Sequence, residues 1–306
     1  MTDTAHSMGR GAAAAIGAVL IFAGYFSVTR LGLGGSFSVG DLVAGRYLVP
    51  AALLLPVALY MGGLQQGIAG IPWSRAIPLT LCGGLVIVWL LTAGLQHAPS
   101  AQAGVFMSGT VPLFVLPMAW LILRERVLGW QIAGALLIFA GDALVAFKGF
   151  GGSDAGQWRG QIQFVGAGMC WALYSVLIRK WRVDPLRATI ATSVLSGLVF
   201  LPYYLLVMEI KLAQASLEAV LAQAAYLGVL AGIAAVVMFT ASIAWLGAAR
   251  AAMFLALVPA FAALMAIPFG EIPSALDWLG VAVVTVGMPF ALGWRPKMRG
   301  GKAPAT

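Results

Sequence analysis

The chain has 306 residues, of which 61% are hydrophobic and only 9% are charged, and its formal net charge is +8. A soluble domain carries about a quarter of its residues as charged ones, so this composition excludes an ordinary soluble protein and indicates a multi-spanning helical membrane protein. A positive net charge is also typical of nucleic-acid binders, but here the cations stand at the ends of apolar runs, which is the pattern of membrane topology.

Ten apolar runs along the chain are long enough to cross a bilayer as helices, which takes about 20 residues each. Charged residues, Gly/Pro clusters and polar loops delimit them. The predicted spans are 11–30, 39–61, 74–95, 99–122, 128–147, 160–179, 187–208, 220–246, 248–268 and 274–294. The first run follows Arg10 in the manner of a signal peptide, an alternative that the similar run near residue 170 disfavours.

The distribution of Lys and Arg tests the ten-span count, because cytoplasmic loops carry an excess of these residues. With the N-terminus in the cytoplasm, thirteen of the 18 fall on the inner side and four on the outer side, while Arg46 lies within a span. A missed or invented early span would reverse the later loops and remove this bias. Both termini are therefore predicted to be cytoplasmic.

A repeat links the two halves of the chain. Shifting the sequence by 149 residues places Tyr25 on Tyr174 and Arg30 on Arg179, at the ends of the first and sixth spans. The spacing Glu-x8-Gly-x6-Gly also occurs twice, each time after a mid-span proline. These landmarks are Pro112, Glu125, Gly134 and Gly141 in the first half, and Pro259, Glu271, Gly280 and Gly287 in the second. Chance similarity among apolar helices is the alternative, but several ordered landmarks in each half favour a duplication.

The repeat predicts the fold. Each half holds five spans, and because five is odd the second copy enters the membrane from the opposite side. Inverted repeats are typical of secondary transporters, in which two units rock around a site near the bilayer midplane. We therefore predict an all-α integral membrane protein with ten transmembrane helices in two five-helix inverted-topology repeats. Its parts are a cytoplasmic tail (1–10), the first repeat (11–147), an outer connecting loop (148–159), the second repeat (160–294) and a cytoplasmic tail (295–306).

These features resemble a known family. A chain of five plus five helices, with an aromatic and polar end on spans 1 and 6, is similar to the drug/metabolite transporter superfamily. The proline followed by a Glu-Gly-Gly fifth helix is similar to its EamA-type exporters, over residues 10–294, and the chain most resembles the YddG-type exporters of aromatic amino acids and methionine. The resemblance implies a bacterial inner-membrane protein with a central cavity lined by helices 1–4 and 6–9, and with helices 5 and 10 at the periphery. Many members carry a tryptophan near the position of Gly24, which this chain lacks, whereas Trp171 matches such a position.

Two prolines are expected to bend their helices and to expose backbone acceptors. Pro112 frees the carbonyl of Ser108, and Pro259 frees the carbonyl of Leu255, because proline has no N–H to donate. Unpaired carbonyls at membrane depth are tolerated where they face protein or a water-filled cavity. Ser108 and the two carbonyls are therefore candidates to hold a substrate ammonium group, and a purely structural kink is the alternative.

Side chains that share helix faces supply candidate walls for a substrate. The predicted substrate-binding residues are Tyr25, Trp89, Ser108, Trp171, Tyr174, Met238 and Ser242. Trp171 and Tyr174 lie three residues apart, and Met238 and Ser242 four apart, so that each pair shares a face. Tyrosines near span ends are typically interfacial belt residues, which is the favoured interpretation for Tyr25.

Two charges are expected inside the membrane, where charged groups are costly and are paired or functional. Arg46 lies near the start of span 2 and Asp142 near the end of span 5, and the topology puts both at the outer depth. A structural ion pair between them is the favoured interpretation. A contact of Arg46 with a substrate carboxylate is the rival.

Other classes of protein lack their residues here. The chain has neither a His-Glu-x-x-His nor a Gly-x-Ser-x-Gly motif, so a membrane enzyme is a remote alternative, as is a channel. No catalytic residue, metal site or cofactor is predicted. Span 1 holds no carboxylate, unlike the small multidrug exporters of the superfamily, which disfavours a lipophilic cation. Cys82 and Cys170 lie inside apolar runs and are expected to be buried free thiols.

The predicted function is the export of phenylalanine, tryptophan, tyrosine and methionine by alternating access. Lysine and arginine are expected to be excluded, because the site offers no fixed carboxylate for a net cation. Another small metabolite or a drug is the alternative substrate. The expected partners are this small molecule and the lipid bilayer, with no nucleic acid; the oligomeric state is open, with a monomer as one option.

Overall fold

The computed structural model describes residues 2–62, 65–146, 156–246 and 254–291. Ten helices follow one another there in the order of the ten predicted spans. They are α1 (Thr2–Gly34), α2 (Val39–Tyr60), α3 (Trp73–Gly94), α4 (Ser100–Leu123), α5 (Gly129–Ala146), α6 (Trp158–Trp181), α7 (Pro185–Val207), α8 (217–246), α9 (Val258–Ala266) and α10 (Ala275–Ala291). Between α2 and α3, β1 (Gly67–Ile68) pairs antiparallel with β2 (Ile71–Pro72).

The predicted all-α membrane fold is confirmed. Eight of the described helices are long and apolar enough to cross a bilayer, and the apolar segments Val258–Phe269 and Ala275–Ala291 are shorter. Some boundaries differ from the prediction: α1 begins at Thr2, so the predicted tail is helical over its described residues, and α6 begins inside the predicted outer loop. Residues 148–155 of that loop and the tail 295–306 lie outside the described residues.

The third helix of each half departs from α-helical geometry. In α3, Leu81–Leu85 form a π segment in which Gly84 has φ −117° and ψ −109°. In α8, Ala224–Ala234 form a second π segment. A π segment closes its hydrogen bonds over one residue more than an α-helix and is frequent at functional sites. The distortion is thus a property of the repeat, which hydrophobic periodicity alone does not predict.

The two prolines singled out in the sequence behave differently. Pro112 lies inside α4, which is continuous from Ser100 to Leu123. Pro259 is not inside a continuous helix, because a turn at 256–257 precedes α9 and places this proline in its first turn. In the first turn of a helix the backbone N–H has no partner within the helix, so the missing N–H of Pro259 removes no hydrogen bond. The predicted mid-span kink in the second half is therefore a helix break.

The two halves meet through matched pairs of helices. α1 packs against α8 and α9, while its counterpart α6 packs against α3 and α4. α2 packs against α7, α4 against α9 and α5 against α10, so each of these helices meets its own twin. Apart from each other, α5 and α10 pack mainly against α4 and α9, which puts them at one side of the bundle. Each contact made by a helix of one half therefore has an equivalent contact made by its twin, as expected when a two-fold axis relates the two halves.

The repeated glycines form the contact between α5 and α10. A Cβ added to Gly134 would lie 2.7 Å from the carbonyl oxygen of Gly287, and one added to Gly287 would lie 2.9 Å from that of Gly134. A Cβ added to either Gly141 or Gly280 would lie 3.1 Å from the carbonyl oxygen of the other. The first glycine of each copy thus meets the second glycine of the other, which requires the two helices to run antiparallel. The equivalent helices are inverted relative to each other.

Side-chain bonds fix the start of α2, which carries Arg46. Ser38 and Asp41 form a capping box at its N-terminus. The Asp41 carboxylate also accepts the Tyr204 hydroxyl of α7 at 2.5 Å and the backbone N–H of Lys211 at 3.2 Å. The capping box satisfies the backbone N–H of Asp41 at the helix end, and the bonds from Tyr204 and Lys211 join α2 to α7 and to the segment that follows it.

Candidate transport site

An ion pair joins the two halves at one end of the bundle. The Arg30 guanidinium, at the end of α1, pairs with the carboxylate of Glu271, which lies between α9 and α10. Arg30 also donates to the carbonyls of Leu95 and Ala98, at 2.6 Å each. Glu271 in turn accepts the backbone N–H of Ser100 at 2.8 Å. We call this end of the bundle the Arg30 end.

A second ion pair joins the halves at the opposite end. Arg179, at the end of α6, pairs with Glu125, which lies between α4 and α5. The side chains of Arg179 and Glu125 are 53% and 45% exposed, against 31% and 21% for Arg30 and Glu271. We call this the Arg179 end. The arginines and glutamates that recur in the two halves therefore pair across the halves, and the pair at the Arg30 end is more enclosed.

Arg46 lies among hydroxyl groups between these two ends. Its buried Nη1 has no hydrogen-bond partner within the described residues. The guanidinium carbon lies 5.6 Å from the ring centroid of Tyr47, and a Cβ on Gly232, in the π segment of α8, would lie 3.1 Å from Nη1. The hydroxyls of Tyr25 and Tyr47 lie within electrostatic range of the guanidinium. Arg46 is a cation within α2, and the ion pairs among the described residues do not include it.

The two tyrosine hydroxyls near Arg46 have neighbouring hydroxyls, and together these groups come from four helices. Tyr25 of α1 lies 3.5 Å from the Thr92 hydroxyl of α3. The Tyr47 hydroxyl of α2 lies near Ser196 of α7, and Ser196 Oγ fills the space beside Gly84 in the π segment of α3. We call Tyr25, Arg46, Tyr47, Thr92 and Ser196 the Arg46 group. Apart from Arg46 its members are buried, so the group is a polar centre inside an apolar bundle.

The predicted ion pair between Arg46 and Asp142 is wrong. Both carboxylate oxygens of Asp142 are buried and have no hydrogen-bond partner in the described part of the chain. The carboxylate instead lies against Gly109 of α4, where an added Cβ would be 2.8 Å from Oδ1. The reason is helix packing: α2 packs mainly on α7 and α8, and α5 on α10 and α4. The similar depth expected for the two residues does not mean that α2 and α5 contact each other.

Tyr25 and Tyr174, which the repeat aligns, take similar places in the structure. Both are buried, each with 7% of its surface exposed, so Tyr25 is not a residue of the interfacial belt. Tyr174 packs its ring against Gly83 in the π segment of α3 and lies 5.2 Å, centroid to centroid, from Trp171. Each tyrosine thus contacts the π-distorted helix α3.

The other predicted site residues fall into two places. Trp89 lies 6.5 Å from the ring of Phe200 and, with Trp171, packs on the same hydrophobic core as Tyr25. Met238 instead packs against Gly17 at the contact of α1 and α8. Ser242, also on α8, donates to the Phe239 carbonyl of its own helix at 2.7 Å. The structure therefore places Trp89 and Trp171 together with Tyr25, whereas Met238 and Ser242 lie apart from them on α8.

Ser108 lies within α4 next to Gly109, the residue on which Asp142 packs. Its side chain is partly exposed, unlike those of Tyr25 and Tyr174. A role for its carbonyl stays a prediction.

Several members of the site were not identified from the sequence. Tyr47 and Ser196 carry no motif and no repeat. Glu125 and Glu271 were identified as landmarks of the repeat, but not as partners of the repeated arginines. The sequence did contain a signal for these pairs. In the inverted topology Arg30 and Glu271 fall at one end of the bundle, and their twins Arg179 and Glu125 fall at the other end. Each arginine can therefore pair with the glutamate of the other half.

The chain is similar to known membrane transporters. The sequence pattern of the EamA-like transporter family matches residues 9–147 and residues 158–292. The uncharacterized transporter YyaM of Bacillus subtilis strain 168 is 25% identical over 279 residues, covering 85% of this chain and 86% of YyaM. A probable terminal-alkyne amino-acid exporter of Streptantibioticus cattleyicolor is 28% identical over 276 residues, covering 88% of this chain and 89% of that protein.

A protein of known crystal structure has the same fold. It superposes with a TM-score of 0.62 at 20% identity, over 92% of this chain and 96% of its own. With the two matches to the family pattern and the ten apolar helices, the chain belongs to the EamA-like transporter family and is a multi-pass membrane protein.

Proposed function

We propose that this protein exports neutral amino acids with aromatic or thioether side chains, namely phenylalanine, tryptophan, tyrosine and methionine, across the bacterial inner membrane. The observation that carries the proposal is the guanidinium of Arg46 near the hydroxyls of Tyr25 and Tyr47, with a buried Nη1 that has no hydrogen-bond partner among the described residues. A charge inside a membrane protein is costly unless it is paired or functional. A substrate carboxylate would supply the missing anion.

The chemistry of Arg46 suits such a substrate. A guanidinium binds a carboxylate through two parallel N–H···O bonds, which are stronger than bonds between neutral groups. The hydroxyls of Tyr25, Thr92 and Ser196 can add further hydrogen bonds. No carboxylate belongs to the Arg46 group, and the buried carboxylate of Asp142, in α5, lies against Gly109 instead. A net cation such as lysine would therefore find no counter-charge.

Aromatic side chains near the Arg46 group support the choice of substrate side chain. Tyr25, Trp89 and Trp171 pack on one hydrophobic core, and aromatic rings there can offer flat apolar surface to a phenyl, indole or thioether group. The relative from Streptantibioticus cattleyicolor is named as a probable terminal-alkyne amino-acid exporter. We extend that substrate class to this chain.

We further propose that export proceeds by alternating access, with the Arg179 end in the cytoplasm. The assignment of ends follows from the excess of Lys and Arg expected on the inner side. Each cross-half ion pair holds the two halves together at one end. Opening one end and closing the other would break one pair and keep the other, as in a rocking motion of two inverted repeats.

A counterflow screen of the twenty amino acids in proteoliposomes tests this function. Phenylalanine, tryptophan, tyrosine and methionine should exchange with saturable kinetics, and lysine and arginine should not. Exchange of none of the twenty would refute amino-acid export and direct the search to another small metabolite or a drug.

Variants of Arg46 test the proposed carboxylate contact. Arg46→Gln should raise the KM for all exchanged amino acids by about tenfold or more, since hydrogen bonds to charged groups contribute about 1.5–3 kcal/mol. Arg46→Lys should restore part of the affinity, because it keeps the charge but not the two-pronged geometry. Arg159→Gln is the matched control: the Arg159 guanidinium also lies over its neighbouring ring, 5.7 Å from the centroid of Trp158, but at the Arg30 end.

A further inference from the structure

A basic cavity at the Arg179 end lies apart from the Arg46 group. It has a volume of about 260 Å³ and opens between the β1–β2 hairpin and the connection from α6 to α7. Three arginines line it, Arg75, Arg182 and Arg187, together with one carboxylate, Asp184. Four formal charges thus surround the cavity, and three of them are positive.

The single carboxylate of the cavity already has a structural role. Asp184 caps the N-terminus of α7, where its Oδ1 accepts the backbone N–H of Arg187 at 2.9 Å. The ion pairs described in the structure do not include the three arginines. Arg75 makes one long bond, 3.4 Å, to the carbonyl of Trp181. The positive charge of the cavity is therefore largely uncompensated by protein groups.

The hairpin turn is shaped to receive an arginine. Ala69 and Gly70 have φ of 51° and 74°, in the left-handed region. The Arg187 Nη1 lies only 2.6 Å from where a Cβ on Gly70 would stand, so any side chain at that position would displace the guanidinium. Arg182 also has a left-handed φ of 50°, as the residue that ends α6. Side chains at such uncommon backbone conformations are frequent in binding sites.

The corresponding place in the second half is built differently in the described residues. Where the repeat would place the hairpin, the connection from α7 to α8 has a 3₁₀ turn, Leu212–Gln214. The neighbouring cation there, Lys211, is paired with Glu209 at 3.5 Å. The basic cavity is therefore a feature of one end of the transporter and not a by-product of the duplication.

We propose that this cavity binds a phosphate group at the membrane surface. Planar guanidinium groups match the oxygens of a phosphate with paired hydrogen bonds. The volume corresponds to roughly nine water molecules at about 30 Å³ each, which leaves room for a phosphate and several waters. The cavity lies where α6 ends and where α3 and α7 begin, and the ends of membrane spans are where lipid headgroups are expected. The phosphate can belong to an anionic phospholipid such as phosphatidylglycerol or to a soluble phosphate compound.

Lipid-dependent thermal stability of the purified full-length protein tests the proposal. Wild-type protein in detergent receives phosphatidylglycerol, phosphatidylcholine or inorganic phosphate, and the unfolding temperature and lipid retention in native mass spectrometry are measured. The variant Arg182→Gln/Arg187→Gln removes two of the three arginines. The matched control Arg124→Gln/Arg126→Gln removes the same charge at the same end, in the connection between α4 and α5.

The expected result is selective stabilisation and retention of phosphatidylglycerol over phosphatidylcholine. Apparent affinity should fall roughly fivefold for each arginine removed from the cavity, and the control should fall much less. Stabilisation by inorganic phosphate in phosphatidylcholine, with displacement of phosphatidylglycerol, would identify a soluble compound as the ligand. Equal losses in both double variants indicate diffuse attraction and overturn the proposal. So does a wild-type protein that prefers neither phosphatidylglycerol nor phosphate, whatever the variants do.

Discussion

Arg30 of the first half forms an ion pair with Glu271 of the second half, and each of these residues has a twin that the repeat puts at the other end of the bundle. The twins, Arg179 and Glu125, pair in the same way. The two pairs differ in their surroundings. The Arg30 pair accepts and donates further bonds to backbone groups, while the Arg179 pair is about half exposed.

The unequal burial of the two pairs predicts unequal contributions to stability. Arg30→Gln should lower the free energy of unfolding by about 2 kcal/mol, because it leaves Glu271 without its charged partner and two carbonyls without a charged donor. Arg179→Gln should cost less than about 1 kcal/mol, since exposed ion pairs contribute little. Denaturant unfolding in detergent measures both values. Equal losses would mean that the enclosure of the Arg30 pair has no energetic effect.

Removal of either pair should also shift which end of the protein is open. In a background with Cys82→Ser and Cys170→Ser, Ser108→Cys places a thiol at a partly exposed position of α4, and a membrane-impermeant thiol reagent is added on the side of the Arg30 end. Arg30→Gln should speed labelling from that end and Arg179→Gln should slow it, because each change destabilises closure of its own end and so shifts the populations in opposite directions. Changes of the same sign in both variants would argue against alternating access.

The glycine contact between α5 and α10 predicts that no larger side chain is tolerated there without a loss of stability. Gly134→Ala would put a Cβ within 2.7 Å of the Gly287 carbonyl oxygen, and such overpacking typically costs about 1–3 kcal/mol. Gly129→Ala is the matched control at the start of the same helix, where an added Cβ meets nothing within 4 Å. Thermal unfolding of both variants measures the difference, and Gly134→Ala should melt at the lower temperature. Similar melting temperatures would contradict the close approach of these helices.

The positions of Arg46 and Asp142 predict that their substitutions act independently. The effects of Arg46→Gln and Asp142→Asn on the free energy of unfolding should add within about 0.5 kcal/mol, as they do for residues that share no contact. Asp142→Asn alone should be neutral or stabilising, because it removes a buried carboxylate that has no described partner. A large coupling energy in the double variant would restore the ion pair that the sequence predicted.

Much of the fold could be predicted because bilayer thickness imposes a length on every span. The ten runs and their order follow from hydrophobic length alone, and the inversion follows from an odd number of spans in each half. The residues of the repeat were also readable, since Arg30 and Arg179 keep their register. The length of the spans and the register of the repeat do not determine which helices pack against each other.

The errors and omissions of the sequence analysis share that cause. Similar depth predicts a pair of Arg46 with Asp142, yet α2 and α5 have different neighbours. A position near the end of a span predicts a belt residue at Tyr25, but α3 covers this side chain through Thr92. The π segments were not foreseen, because they change the helix period locally without changing its hydrophobicity.

Trp171 provides the sharpest test of the proposed aromatic substrates. Its ring lies 5.2 Å from that of Tyr174, at an interplanar angle of 37°, and it packs on the core that holds Tyr25 and Trp89. Trp171→Ala removes aromatic surface and leaves Arg46 in place. It should therefore weaken exchange of phenylalanine about threefold to tenfold more than exchange of alanine, the range that ring stacking contributes. Trp120→Ala, at a side chain that is 63% exposed, is the control and should affect both substrates equally. An equal loss of both substrates in Trp171→Ala would make that residue part of the scaffold and place the aromatic subsite elsewhere.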